Sequence, residues 1–140
     1  MSHKFFPRTW LPIKLHHMQP GRPFEVASEV IYTNAAIRLV IPPGFRCDLA
    51  SIPRWLLWVP GLNVSGRNAR AALIHDFLYA AQIVDREVAD AIFLSVMRHD
   101  GVGFLPRTAM YLAVRIWGVT AWEENQTATR ALGGTAEKLT

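Results

Sequence analysis

The pattern of apolar and polar positions divides the chain into a front half of short extended segments and a back half of helices. Pro7, Pro12 and Pro20 forbid a long helix in the first twenty residues and predict extended or edge segments, one of them over residues 11 to 16. Residues 29 to 33 and 36 to 41 are rich in β-branched side chains, and Asn34-Ala35 between them can turn the chain, so a hairpin is expected. Pro42-Pro43-Gly44 ends it, and Phe45-Arg46-Cys47 reads as a further short strand. Ser51 then caps a turn that Pro53 tolerates near its start, followed by an apolar plug of Trp55, Leu56, Leu57 and Trp58.

Beyond a loop over residues 60 to 67, strong helix formers predict a helix over 67 to 81, stopped around Gln82 to Val84. Asp85 is the expected cap of a second helix over 86 to 99, which Gly101 and Gly103 end. Pro106 opens a third, 107 to 119 or slightly beyond, apolar on nearly every side and therefore expected inside. The remainder, from Glu123, is polar with Gly133-Gly134 and is expected to be disordered unless something holds it. These elements predict an α+β fold: a small antiparallel sheet in the N-terminal half packed on a C-terminal bundle of about three helices. Residues 1 to 122 form a single compact domain and 123 to 140 a polar tail.

At 100° per residue the first helix places Leu73, Ile74, Phe77 and Leu78 on one broad face and His75, Asp76 and Tyr79 on the remaining arc. A solvated face would explain that arc. On the second helix Val88, Ile92, Val96, Phe93 and Met97 make the apolar face, with Asp90 at its edge. The connecting turn is centred near position 82.5, so antiparallel packing sets His75 level with Asp90, Tyr79 with Arg86 and Ala72 with Phe93. A carboxylate on a histidine fixes its tautomer and raises its basicity, as a general base or an oriented metal ligand requires. The competing role is structural: a partly buried Asp90 needs partners, and His75, Tyr79 or Arg115 would supply them. Arg115, the lone charge within residues 111 to 117, is expected to pair with Asp76 or Asp90.

Composition narrows the classes. Of 140 residues, 51% are hydrophobic and five are tryptophan, enough for a core without disulfides. The single Cys47 excludes an internal bridge and gives no zinc framework. No segment reads as a membrane span, because residues 110 to 119 are short and interrupted by Arg115. The N-terminus does not read as a secretory signal, so a cytoplasm is the expected place of synthesis. The net charge is +4, with nine Lys/Arg against three acids in residues 1 to 75 and six against eight thereafter. The basic residues of the front stand singly rather than clustered, which argues against nucleic acid as the partner.

His75-Asp76 lacks the upstream histidine and further aspartate of metal-dependent phosphohydrolases with an HD pair, because the adjacent His16 and His17 of a strand point to opposite faces. The spacing His75-Asp76-x-x-Tyr79 is similar to the catalytic helix of secretory phospholipase A-two. In that family the histidine activates water, the adjacent aspartate binds calcium, and a second aspartate on an antiparallel helix orients the histidine. Asp90 would fill the last role, while the glycine-rich calcium loop and the disulfides are missing here.

A longer pattern runs from Pro43-Gly44-Phe45 through Asp48-Leu49-Ala50-Ser51-Ile52-Pro53-Arg54, Ala72-Leu73-Ile74-His75-Asp76-Phe77-Leu78-Tyr79, Arg86, Ala89-Asp90 and Phe93. Gly101-Val102, Ala109-Met110-Tyr111, Val114-Arg115 and Trp122 continue it. Over roughly residues 20 to 122 this resembles the domain-of-unknown-function family 1353, small proteins encoded by tailed phages and prophages. Cys47 stands where the resemblance would put threonine. It implies a phage or prophage origin and groups Asp48, Ser51, His75, Asp76, Tyr79, Arg86 and Asp90 as a polar signature, without supplying an activity.

Two functions follow. One is a hydrolase in which His75, oriented by Asp90 and assisted by Tyr79, activates water, with Asp76 and Asp48 as ligands for a divalent metal and Ser51, Arg86 and Arg115 in support. The other is a non-catalytic virion or tail-associated protein that engages other phage or host proteins, in the host cytoplasm or within the virion. An effector that blocks a host protein is a weaker third option.

Overall fold

The computed structural model describes residues 4–6, 13–14, 24–26, 28–47, 69–127 and 135–139. Six strands precede three helices and a seventh strand follows: β1 (Lys4–Phe6), β2 (Ile13–Lys14), β3 (Phe24–Val26), β4 (Val30–Thr33), β5 (Ile37–Ile41), β6 (Arg46–Cys47), α1 (Ala69–Ala81), α2 (Arg86–His99), α3 (Phe104–Thr127) and β7 (Thr135–Lys138). The strands form two antiparallel sheets, ordered β1-β4-β5-β7 and β2-β3-β6. The architecture is α+β, as expected.

The β4–β5 hairpin is built as its composition predicts. Val30, Tyr32, Ile37, Leu39 and Ile41 are buried on one face, and the register pairs Val30 with Ile41 and Tyr32 with Leu39. Asn34 makes the turn: its Oδ1 accepts the N–H groups of Ala36 and Ile37 at 2.8 and 2.9 Å, and its Nδ2 donates to the Tyr32 hydroxyl at 3.2 Å. The next turn needs a positive φ, which Gly44 supplies at 84° after Pro42-Pro43.

α1 and α2 form the expected antiparallel pair, and one continuous core joins them to the sheet through contacts such as the edge-on packing of Phe45 against Phe77. Gln82 ends α1 in the left-handed region at φ 50°, and its side chain donates to the Trp122 carbonyl of α3 at 2.9 Å. Asp85 holds the N-cap position of α2 but makes no side-chain cap bond, so its contribution is that of a negative charge at a helix N-terminus. Gly101, at φ 80°, ends α2; its N–H bonds the Arg98 carbonyl, and the N–H of buried Val102 bonds the Met97 carbonyl. Arg70 and Asp100 tie the start of α1 to the end of α2 through two bonds of 2.6 and 3.0 Å.

Two expectations are revised. The third helix is longer at both ends than 107 to 119. Pro106 sits in its first turn, where no intrahelical N–H is required, and at the far end Ala121 and Trp122 pack on the core and carry the helix to Thr127. Nor is α3 an inside helix: Phe104, Leu105, Leu112, Ile116, Trp117 and Val119 are all exposed, because only one side of it meets α1 and α2. Beyond α3, residues 135 to 138 form β7, paired with β5. No helix among the described residues is long and apolar enough to cross a membrane.

Candidate functional site

The expected alignment of α1 with α2 places His75 Nε2 2.7 Å from Asp90 Oδ1. Fifteen residues separate the two in sequence, and the short Gln82-to-Asp85 connection brings them level. One turn further along α1, the Tyr79 hydroxyl donates to the same Asp90 oxygen at 2.8 Å. The other oxygen, Oδ2, accepts from Arg115 of α3 at 2.8 Å and from Arg86, one turn before it on α2, at 3.4 Å. Arg86 also donates to the carbonyls of Val114 and Arg115. Asp90 is fully buried, and each of its oxygens accepts two donors, drawn from all three helices.

This environment fixes the charges. Burial alone would push the Asp90 carboxyl up, but hydrogen bonds from His75, Arg115 and Tyr79 outweigh it and hold the carboxyl below its ordinary value of 3.8. Tyr79 moves the other way: burial, then its bond to the Asp90 anion, push it well above the ordinary phenol range, so it is a neutral donor. Arg115 is raised by its bond to Asp90 and stays a cation.

An anionic oxygen accepts, so His75 Nε2 carries the proton toward Asp90 and a neutral imidazole keeps its lone pair at Nδ1. The ring lies between Tyr79 and Phe93, with centroids at 4.2 and 4.6 Å, and its side chain is only 8% exposed. Among the described residues no hydrogen bond reaches Nδ1. A buried polar atom of this kind calls for water or a ligand as partner.

The sequence brought together most of this cluster and missed its packing. His75, Tyr79, Asp90, Arg86 and Arg115 converge, and Arg115 takes Asp90 rather than Asp76. The arc of α1 bearing His75 and Tyr79 is buried rather than solvated, because α3 closes over it. Asp76, half-buried, follows His75 on α1 and is not part of the Asp90 cluster. Asp48 and Ser51 lie outside the described residues. No three His, Cys, Asp or Glu side chains among the described residues converge to hold a metal ion.

Two members had no part in the expected site. Trp122 packs edge-on against Tyr79 at 5.0 Å, backing the hydroxyl that reaches Asp90. Gly118 of α3 lets the helices approach: a Cβ there would lie 2.6 Å from the Tyr79 hydroxyl. Glycine inside an otherwise apolar helix is the available signal, since it costs about 1 kcal/mol relative to alanine unless a close approach requires it.

No curated protein and no solved structure matches this chain. One protein family does, over residues 24–114, a span that contains His75, Tyr79, Arg86 and Asp90 and ends just before Arg115. The chain belongs to that family, described as a protein of unknown function, DUF1353.

Proposed function

We propose that the protein is a hydrolase in which His75 acts as general base on a water at Nδ1. The observation that carries this reading is the division of labour between the two ring nitrogens. Nε2 is committed to a buried anion, while Nδ1 has no hydrogen bond among the described residues. Asp90 holds the tautomer and stabilises the imidazolium formed when Nδ1 takes the proton, and Tyr79 holds Asp90. The relation of His75 to Asp90 is the one that the similarity to the phospholipase catalytic helix implies. Asp76 and Asp48 would supply the oxygen ligands for a divalent cation, which would polarise the bond under attack. The phage or prophage origin and action in the host cytoplasm belong to the same proposal.

The test is turnover by the purified chain on carboxylic esters and phosphodiesters, with calcium, with magnesium and with chelator. His75→Gln retains an amide donor toward Asp90 and removes the base, so a folded variant slowed roughly 100- to 10,000-fold is expected. No turnover by the wild type under any condition, or turnover that survives the substitution, overturns the reading.

The alternative is a non-catalytic virion or tail-associated protein, in which the same cluster is purely structural. A buried anion with donors from three helices fastens the bundle whether or not chemistry occurs. Mass spectrometry of purified particles separates the two, since absence from the particle removes this alternative.

A further inference from the structure

We infer that the outer face of α3 is a self-association surface, on which a second copy of the chain packs its own α3 antiparallel across a two-fold axis near Leu112. Leu105, Leu112, Ile116 and Val119 are 71%, 51%, 61% and 40% exposed. They follow one another at intervals of seven, four and three, which at 100° per residue keeps them within about 60° of arc. A narrow apolar seam at that spacing is the pattern of helix-on-helix packing. Phe104, 68% exposed, lies about 60° beyond Val119 and borders it on one side.

The area suits a second copy. Taking on the order of 200 Å² for each such side chain fully exposed, the seam and Phe104 present roughly 600 Å², or about 1,200 Å² for the pair, above the roughly 1,000 Å² that a specific interface needs.

Charge sets the direction and disfavours a lipid surface. Of the cations of α3, Arg115 is held on Asp90 and Arg107 on the Val102 carbonyl and over the Phe104 ring, while the exposed charge in line with the seam is Glu123. An acidic face gains nothing from an anionic membrane. α3 has no acidic residue in its first turn. With Leu112 on the axis, Leu105 meets Val119 of the other copy and Glu123 comes level with residue 101. Glu123 then lies beside the N-terminal end of the opposing helix, where an anion is favoured. A parallel pair would set the two Glu123 side chains against each other.

Sedimentation of the purified full chain at 10 to 100 µM is expected to show a dimer. Leu112→Glu, which puts two like charges on the axis, is expected to weaken it at least about 100-fold with helix content by circular dichroism unchanged. Should that variant fold poorly, oxidative crosslinking decides. Leu112→Cys faces its own copy and is expected to crosslink well above the background set by wild-type Cys47. Leu105→Cys or Val119→Cys should do so only when the two are mixed. A monomer throughout this range, a dimer indifferent to Leu112→Glu, or a monomer that sediments with phospholipid vesicles overturns the inference.

Discussion

The sheet half and the helical half both bury polar side chains, and they satisfy them over very different distances. In the β4–β5 hairpin the hydrogen bonds among the described residues are local: Asn34 is bonded by residues two and three positions away, and Tyr32 by Asn34. Burial still pushes the Tyr32 hydroxyl up to about 12, but no charge is enclosed. In the helical half Asp90 is a full anion whose donors stand four, eleven, fifteen and twenty-five residues away on three elements. Local satisfaction survives small displacements of neighbouring elements, whereas a buried anion fed from three helices holds only while all three are in place. The helical half should therefore be the more sensitive to single changes, although its backbone satisfies its own hydrogen bonds.

The largest effect is expected from Asp90→Asn. It leaves Arg115 and Arg86 facing a neutral amide and sets one of its N–H groups against existing donors, which costs about 3 to 5 kcal/mol by urea denaturation. The wild type should also show a pH dependence that the variant lacks. Asp90 is depressed in the folded state, so its contribution is complete above the ordinary 3.8 and drains away as the pH falls below that value toward the folded pKa. A flat acid limb in the wild type would mean that Asp90 is not the buried anion described.

Gly118→Ala comes next. Alanine is the better helix former by about 1 kcal/mol, yet its Cβ would meet the Tyr79 hydroxyl at 2.6 Å, so a net loss of about 1 to 3 kcal/mol is expected. Removing that hydroxyl should relieve the clash, and Gly118→Ala with Tyr79→Phe should lose less than the two single changes added together. Strict additivity would show that the close approach is not what requires glycine.

The smallest effect belongs to the sheet. Asn34→Ala removes the turn bonds of two N–H groups at a site of local repair, for about 1 to 2 kcal/mol. A loss there as large as that from Asp90→Asn would erase the contrast between the halves.

The parts of the fold that were legible in the sequence were those set by short-range geometry. The hairpin followed from β-branched residues on either side of Asn34, and the His75–Asp90 pairing from counting outward from a short turn between two helices. What escaped depends on distant chain. Nothing in Thr135-Ala136-Glu137-Lys138 announces a strand; β5 makes it one. Arg70 gives no sign of Asp100, thirty residues on. An apolar circumference shows that α3 avoids water but not which side the molecule itself covers, so the exposed seam could not be read in advance. Asp48 and Ser51 fall outside the described residues, and their part in the site stays with the proposal.

The pairing of β5 with β7 also has a consequence in time. Val40 and Thr135 are partners although 95 positions, 135 minus 40, lie between them. A ribosome adding about 5 to 20 residues per second needs roughly five to twenty seconds to travel that far. Throughout that interval Ile37-Arg38-Leu39-Val40-Ile41 is the open margin of the growing sheet, a strongly apolar strand with its hydrogen-bonding groups on offer to any other nascent chain. Arg38 is its single charge, and in the finished fold it points toward Glu137 of β7 at 3.7 Å. Before β7 emerges, that same charge is the one feature of the strand that disfavours its joining to a neighbouring nascent chain.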